Sequence, residues 1–565
     1  MFTQTKWTHH LGIYAGIAGV IAALGSVVLS QIALRSPRAR TFSIAAVIFL
    51  MAISLGGWNA WWYVSSFGIP WWDRTVQFKA IEANTVVLAI GMVVLAIGLY
   101  QSLIHDYRKN KAEANGTLED FEKASAAKVS RWAGAMSAPI AIACALIVAF
   151  YCASFAKGYV AQADSYSVGK GNLASLRGNT CSLADSTLVE TNTNDAFLTP
   201  VKGEFKDSLV DKKEDNYGFG PNLIKEDIEP ENLNSASVGA IANSTGDSAA
   251  TSNEQKEATT TGTAEHEEKA TEVTDSSAGG VRGTRGVNGS EMHLPFNLDY
   301  TKVPVMGSYS ESQRSTATIT TQWYNLPEET EDTPVLAVSA AGKIYHHDVN
   351  GVEQEGTELT LEYGTLKDGT VTNKGEAELS DVGATPKWRN LRIARKDLPE
   401  EANVVRLVAV DDSTDEDDWM AFTPPRVPEL ASINSQFDAE TPALLDWSVA
   451  LQFPCQRTFD HYAGVTEIPE FRILPDAAAQ TSLTDFQSFS GGGAMATAEA
   501  VNYSYEIPSY LNNDWARDWG SIEKYELRTN SLGEAPAEAD IDLEVIQRSG
   551  LWKNSEMKIR PEWEQ

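Results

Sequence analysis

The sequence predicts a membrane α-helical segment of four transmembrane helices, followed by a mainly β extracytoplasmic region of two jelly-roll-like β-sandwich lobes. Four long apolar runs crowd the first 160 residues. The charge balance then reverses, from 13 Lys+Arg against 7 Asp+Glu over Met1–Val160 to 32 against 69 over Ala161–Gln565. Beyond Gly286, short β-branched and aromatic runs alternate with Gly, Asn and Asp turns, as in a β-sandwich.

The runs are Leu11–Leu34, Phe42–Tyr63, Thr85–Ile104 and Trp132–Phe155, and none contains Asp, Glu, Lys or Arg. Each approaches the roughly 20 apolar residues that cross a bilayer core. The first is too long for a signal peptide and has no small-residue cleavage site before the next span. Arg35, Arg38 and Arg40 fill the first loop, and Arg108, Lys109, Lys111, Lys123, Lys128 and Arg131 the third. Those loops are therefore expected in the cytoplasm and both chain ends outside. Trp58, Trp61, Trp62, Trp71 and Trp72 then fall at the outer interface. An outside N-terminus fits a small translocated tail or a chain cut from a longer multi-span protein.

Cysteine usage agrees with this topology. Cys144 and Cys152 fall in the fourth run, whereas Cys181 and Cys455 lie outside, where oxidation is permitted. They are expected to pair, joining the start of the outer region to its last quarter. The organisation expected is a membrane region at 1–160, a discontinuous carbohydrate-binding lobe at 161–200 plus 438–565, and an inserted lobe at 201–437. A polar tract at about 225–280, rich in Ser, Thr, Ala and Glu, is expected to be disordered, because it cannot bury enough apolar area to order itself. Strands are predicted at Ser315–Trp323, Val335–Val338, Leu359–Tyr363, Leu391–Ala394 and Val404–Val410.

A polyanionic outer region repels phosphate backbones, so nucleic acid is excluded as a partner. Walker, dinucleotide-binding, zinc-protease and nucleophile-elbow signatures are missing. His346 and His347 are adjacent on a predicted strand and point to opposite faces, which disfavours a shared metal. The acidic run Asp411–Asp418 reads equally as a solvated loop or a site for a hard cation. Outer tryptophans, among them Trp323, Trp388, Trp419, Trp447, Trp515 and Trp519, serve either as core or as sugar-stacking platforms. Asp514-Trp515 and Asp518-Trp519 are spaced as one helical turn. Lys6-Trp7-Thr8-His9-His10, at the outer mouth of the first span, suits interface anchoring or contact with a lipid phosphate.

Longer motifs recur in order: FTQTKWTHHLGIYAGIAG, SVGKGN with GNTCSLAD, YGFGPN, PVMGSY, WYNLP, WMAFTPPR, LLDW with FPCQRTFDH, RILPD and NDWARDWG. Together they resemble the actinobacterial cell-wall arabinosyltransferases, the ethambutol targets, over nearly the whole chain outside the polar tract. The resemblance implies a GT-C glycosyltransferase that moves arabinofuranose from a polyprenyl-phosphate-arabinose donor onto arabinan. Its essential acidic motif lies in an N-terminal half with no counterpart in these residues. The chain then reads as the C-terminal half of that enzyme, inactive alone and lodged in the cell membrane with a possible homologous partner subunit. The alternative is a non-catalytic, membrane-anchored carbohydrate-binding protein. By the same resemblance, Trp7 and His9 line the donor cavity, and Trp323, Trp447 and Asn172 bind arabinan. Asp411 or Asp412 takes the acidic position before WMAFTPPR, a bound Ca²⁺ belongs to the outer region, and Cys181 and Cys455 form the family's bridge.

Overall fold

The computed structural model describes, with short breaks, residues 15–56, 67–127, 139–225, 286–476 and 502–537. Helix α1 (Ala15–Arg35) is apolar over Gly16–Gln31. Three further helices, α2 (Pro37–Leu55), α3 (Ala83–Ala114) and α5 (Pro139–Ala161), are long and apolar enough to cross a membrane. The short amphipathic α4 (Leu118–Ala127) sits between α3 and α5.

Helix ends follow local chemistry more closely than the apolar runs do. Helix α2 starts ahead of Phe42 because Pro37 suits the first helical turn and the Ser36 hydroxyl accepts a hydrogen bond from Ala39 N at 3.4 Å. Helix α3 continues past Ile104 to Ala114, since Arg108, Lys109 and Lys111 are good helix formers and favour a helix C-terminus. Glycines let α2 and α3 approach: a Cβ on Gly98 would lie 3.1 Å from the Phe42 ring, and one on Gly91 3.2 Å from Ile48.

The α2–α3 connection ties the β region to one end of the apolar helices. Phe67, 1% exposed, is buried in one cluster with Leu183, Phe453 and Trp519. Gly68 has φ +81°, and its Cα approaches Gln162 and Gly158 at the end of α5 so closely that a Cβ would lie 2.8 Å from the Gln162 side chain. The α1–α2 turn and the α3–α4 hairpin therefore lie at the other end of the helices.

Two β-sheets face each other between Met306 and Phe422. One runs in the order Thr370–Glu378, Glu358–Lys367, Val404–Asp411, Ala317–Thr320, with Tyr324–Asn325 also on Val404–Asp411. The other runs Arg389–Ala394, Val335–Gly342, Met420–Phe422, Met306–Gly307. All pairs in both are antiparallel. Leu336, Val338, Leu361, Leu391, Leu407 and Phe422 interdigitate between them, as expected for alternating inward positions. The predicted Ser315–Trp323 strand is shorter, ending at Thr320, and the chain re-enters the sheet at Tyr324.

A second group of sheets gathers residues from distant parts of the chain. Thr187–Glu190 pairs with Leu430–Ser432 on one side and Ser509–Leu511 on the other. A four-stranded sheet runs Ala443–Leu445, Phe471–Leu474, Ser521–Leu527, Asn502–Ile507. The Asp514–Trp519 segment is a series of turns, not the helical turn its spacing suggests, with Asn513 at φ +60°. Trp519 is 2% exposed in the core and Trp515 8% exposed, so neither is an open platform. The polar tract at 226–285 lies outside the described residues.

Candidate functional site

The SVGKGN segment forms the start of helix α6 (Val168–Leu176). Ser167 Oγ caps it by accepting from Lys170 N at 3.2 Å. Lys170 Nζ donates to the carbonyls of Ala163 at 2.5 Å and Ser165 at 2.7 Å, which makes this lysine a local staple. Asn172, one turn on, is exposed. Helix α7 (Ser182–Ser186) follows Cys181, and Cys181 is bonded to Cys455 across 274 residues, with Cα atoms 5.4 Å apart. The pairing expected from the topology is present.

Trp323 lies between the Ala317–Thr320 and Tyr324–Asn325 strands and is half-buried. The Arg406 guanidinium sits over its ring at 4.8 Å, a cation–π contact. Arg406 is itself fixed by Glu362 (Nε to Oε2, 2.5 Å) and Glu214 (Nη1 to Oε1, 3.0 Å). Gly364, at a register shift in its hairpin, makes room: a Cβ there would fall 2.6 Å from Thr372 O and 3.3 Å from the Trp323 ring. The ring is thus held in one orientation by charge and packing, as a stacking platform requires.

A buried ionic cluster joins the two β groups and explains two of the sequence motifs. Arg426, the last residue of WMAFTPPR, and Glu190 are both fully buried. Arg426 donates to Glu190 at 2.9 Å from both Nε and Nη2, to Ser339 Oγ at 2.7 Å and to Asn390 Oδ1 at 2.7 Å. The Tyr510 hydroxyl donates to Glu190 at 2.5 Å. Burial works against the Arg426 charge, but the Glu190 carboxylate outweighs it and leaves its pKa above the ordinary arginine value. Burial first, and then the carboxylate, push the Tyr510 hydroxyl far above its usual range, so it stays a donor. Beside it, Arg392 donates to the carbonyls of Trp515 and Arg517 in NDWARDWG, and its guanidinium lies 5.2 Å from the Tyr510 ring centroid.

Between the two β groups a cleft of about 530 Å³ is lined by Glu378, Asp397, Asn513, Asp514 and Trp515, among others. Carboxylates, an amide and an aromatic edge on one concave surface suit the hydroxyls and C–H faces of a neutral sugar. Asp514 and Trp515 of NDWARDWG, whose spacing suits a packed helix as well as a binding ledge, line this cleft.

Asp411 and Asp412 differ in their surroundings. Asp411, 3% exposed, accepts from Ser308 Oγ at 2.7 Å and from Ser413 N at 3.3 Å. Burial raises its pKa above the ordinary carboxylate value, more than these hydrogen bonds lower it. Asp412 is exposed. Asp418 is taken by Lys343 Nζ at 2.8 Å, which holds its pKa down, and by Ser413 Oγ at 2.9 Å. Calcium takes six to eight oxygen ligands. Among the described residues no group of three or more His, Cys, Asp or Glu is placed to hold a metal. His346 and His347 likewise face different carboxylates, Asp381 at 3.6 Å and Glu378 at 3.0 Å. Trp7, His9 and Trp447 lie outside the described residues. Asp446, beside Trp447, is buried and paired with Arg472 at 3.1 Å.

Comparison with known proteins covers both halves of this architecture. Residues 152–558 match the model described as "EmbC C-terminal domain", and residues 1–104 the one described as "Mycobacterial cell wall arabinan synthesis protein". Probable arabinosyltransferase C of Mycolicibacterium smegmatis is 34% identical over 562 residues, covering 99% of this chain and 47% of that protein. Its namesake in Mycobacterium tuberculosis is 34% identical over 561 residues, again 99% and 47%. The cryo-EM structure of arabinosyltransferase EmbB from Mycobacterium smegmatis superposes with a TM-score of 0.73 at 32% identity, covering 95% of this chain and 47% of that one. The chain thus spans about half the length of the relatives it matches. With its apolar helices and its β region both matched, the chain belongs to the family of actinobacterial cell-wall arabinosyltransferases.

Proposed function

We propose that this chain is the acceptor-binding half of an arabinofuranosyltransferase that builds cell-wall arabinan from a polyprenyl-phosphate-arabinose donor. The observation that carries the reading is the 34% identity sustained over 99% of the chain, through helices and β region alike. In this reading α1 is a fourth span, the β region forms two jelly-roll-like lobes outside the cytoplasm, and the chain is multi-pass in the cell membrane. Neutral arabinan suits the acidic outer surface, because sugar hydroxyls accept and donate without bringing charge. Trp323, fixed by Arg406 against one face, is the stacking platform for a sugar ring in this reading. The Glu378–Asp514 cleft supplies acceptors for hydroxyls, and Asn172 and Trp447 are the further glycan contacts that the resemblance implies.

Chemistry requires a base that activates the acceptor hydroxyl. In this reading that base comes from the other half of the enzyme, and this chain contributes binding and part of the cavity, with Trp7 and His9 toward the donor. The test is transfer from polyprenyl-phosphate-linked arabinose to an arabinofuranosyl acceptor. The purified chain is expected to give no product, and to give product once the N-terminal half of a relative completes it. Turnover by the chain alone, free of other transferases, overturns the division of labour.

A further inference from the structure

On the membrane face opposite the β region, the α1–α2 turn, the end of α3 and the start of α4 enclose a cleft of about 1020 Å³. Arg38, Arg108, Lys109 and Lys111 line it, with Glu122 as the one lining carboxylate. Their pairing is uneven. Arg38 is neutralised by Asp106 at 3.0 Å, and nearby Lys123 lies 3.9 Å from Glu119. Among the described residues, Arg108, Lys109 and Lys111 have no ion-pair or hydrogen-bond partner. Tyr100 and Ile104 form the wall of the same cleft toward the apolar part of α3, where Leu99 and Leu103 are exposed on the helix surface. The N-terminus of α2, with Ser36 and Pro37 in the lining, adds its positive dipole end.

We propose that this cleft binds the phosphate headgroup of an anionic glycerophospholipid from the membrane leaflet opposite the β region. Positive loops alone account for topology, which needs only their charge. Topology does not require three unneutralised cations to converge on one concavity whose far wall is apolar. That arrangement has the chemistry of a lipid. Arg108 can grip a phosphate through two N–H donors while the lysines add point charge, and the acyl chains continue along Tyr100, Ile104 and the exposed leucines of α3. A free phosphate shares the anionic part of this recognition but makes no use of the apolar wall.

The test uses the full 565-residue chain in nanodiscs of mixed phosphatidylglycerol and phosphatidylcholine. Co-purifying lipid is counted by native mass spectrometry after transfer to detergent. The parent is expected to retain phosphatidylglycerol selectively, and R108Q/K109Q/K111Q to lose that selectivity by about tenfold. Lys123→Gln, outside the unpaired set, should leave it unchanged. Should the triple variant fold poorly, R108Q and K111Q singly are expected to show intermediate losses at an unchanged Tm. Glycerophosphate or inorganic phosphate at millimolar concentration should not displace the lipid; equal displacement would make this a free-phosphate site and overturn the proposal. Unchanged selectivity in the triple variant also overturns it, and would leave the basic cluster to topology or to an acidic cytoplasmic protein.

Discussion

Glu190→Gln is the substitution whose cost the structure defines most narrowly. The change keeps the side chain's size and one oxygen acceptor, yet removes the charge opposite a fully buried Arg426. Ser339 and Asn390 still accept from that guanidinium, but neither neutralises it. Leaving one member of a buried pair uncompensated costs about 3–5 kcal/mol, and the retained neutral contacts favour the lower end. For domains of 150–250 residues, ~3 kcal/mol corresponds to a fall in Tm of roughly 6–12 °C. Because Glu190 and Tyr510 come from one β group and Arg426, Ser339 and Asn390 from the other, the two should also cease to melt together. Differential scanning fluorimetry of the purified chain, at one scan rate, reads both effects. Adding Arg426→Met should recover part of the loss, with a coupling of about 0.5–3 kcal/mol. A Glu190→Gln variant within about 0.5 kcal/mol of the parent, or strictly additive single and double variants, would refute the reasoning.

The other expectations are as direct. Mass spectrometry without reduction should find one Cys181–Cys455 crosslink, and reducing it should lower stability by up to about 4–5 kcal/mol on chain-entropy grounds; free thiols in an oxidised preparation would remove this staple. Asp411 has its pKa raised by burial, so the stability linked to its proton is present below the unfolded value of ~3.9 and is lost as pH rises through the higher folded value. Asp411→Asn should therefore match the parent's Tm near pH 4 and exceed it at pH 7. A Tm that falls at pH 7, and only with calcium present, would instead place the cation on Asp411.

Hydropathy and charge revealed the apolar helices because length and composition alone decide whether a segment can cross a bilayer. Their ends were less legible. Ser36-Pro37 and the basic turn after Ile104 moved α2 and α3 beyond the apolar runs, through capping and helix propensity. Strands such as Val404–Asp411 were readable from their alternation, whereas Trp323, the last residue of its predicted strand, lies just beyond the observed one, which ends at Thr320. The roles of Glu190, Arg426 and Tyr510 could not be read at all. They lie up to 320 residues apart, and nothing local marks a charged residue as buried. The acidic run left a solvated loop and a cation site equally open, and only the structure pairs Asp411 with Ser308 and Asp418 with Lys343.

The most direct test of the acceptor-binding account is calorimetric titration of the chain with an arabinofuranosyl oligosaccharide, using a mannose oligosaccharide as control. A neutral glycan that stacks on Trp323 and shares hydroxyls with the cleft should bind with a dissociation constant between about 1 μM and 1 mM. Trp323→Ala should weaken it at least about fivefold at an unchanged melting temperature. Equal binding of both oligosaccharides, or full arabinan affinity without Trp323, would contradict the account.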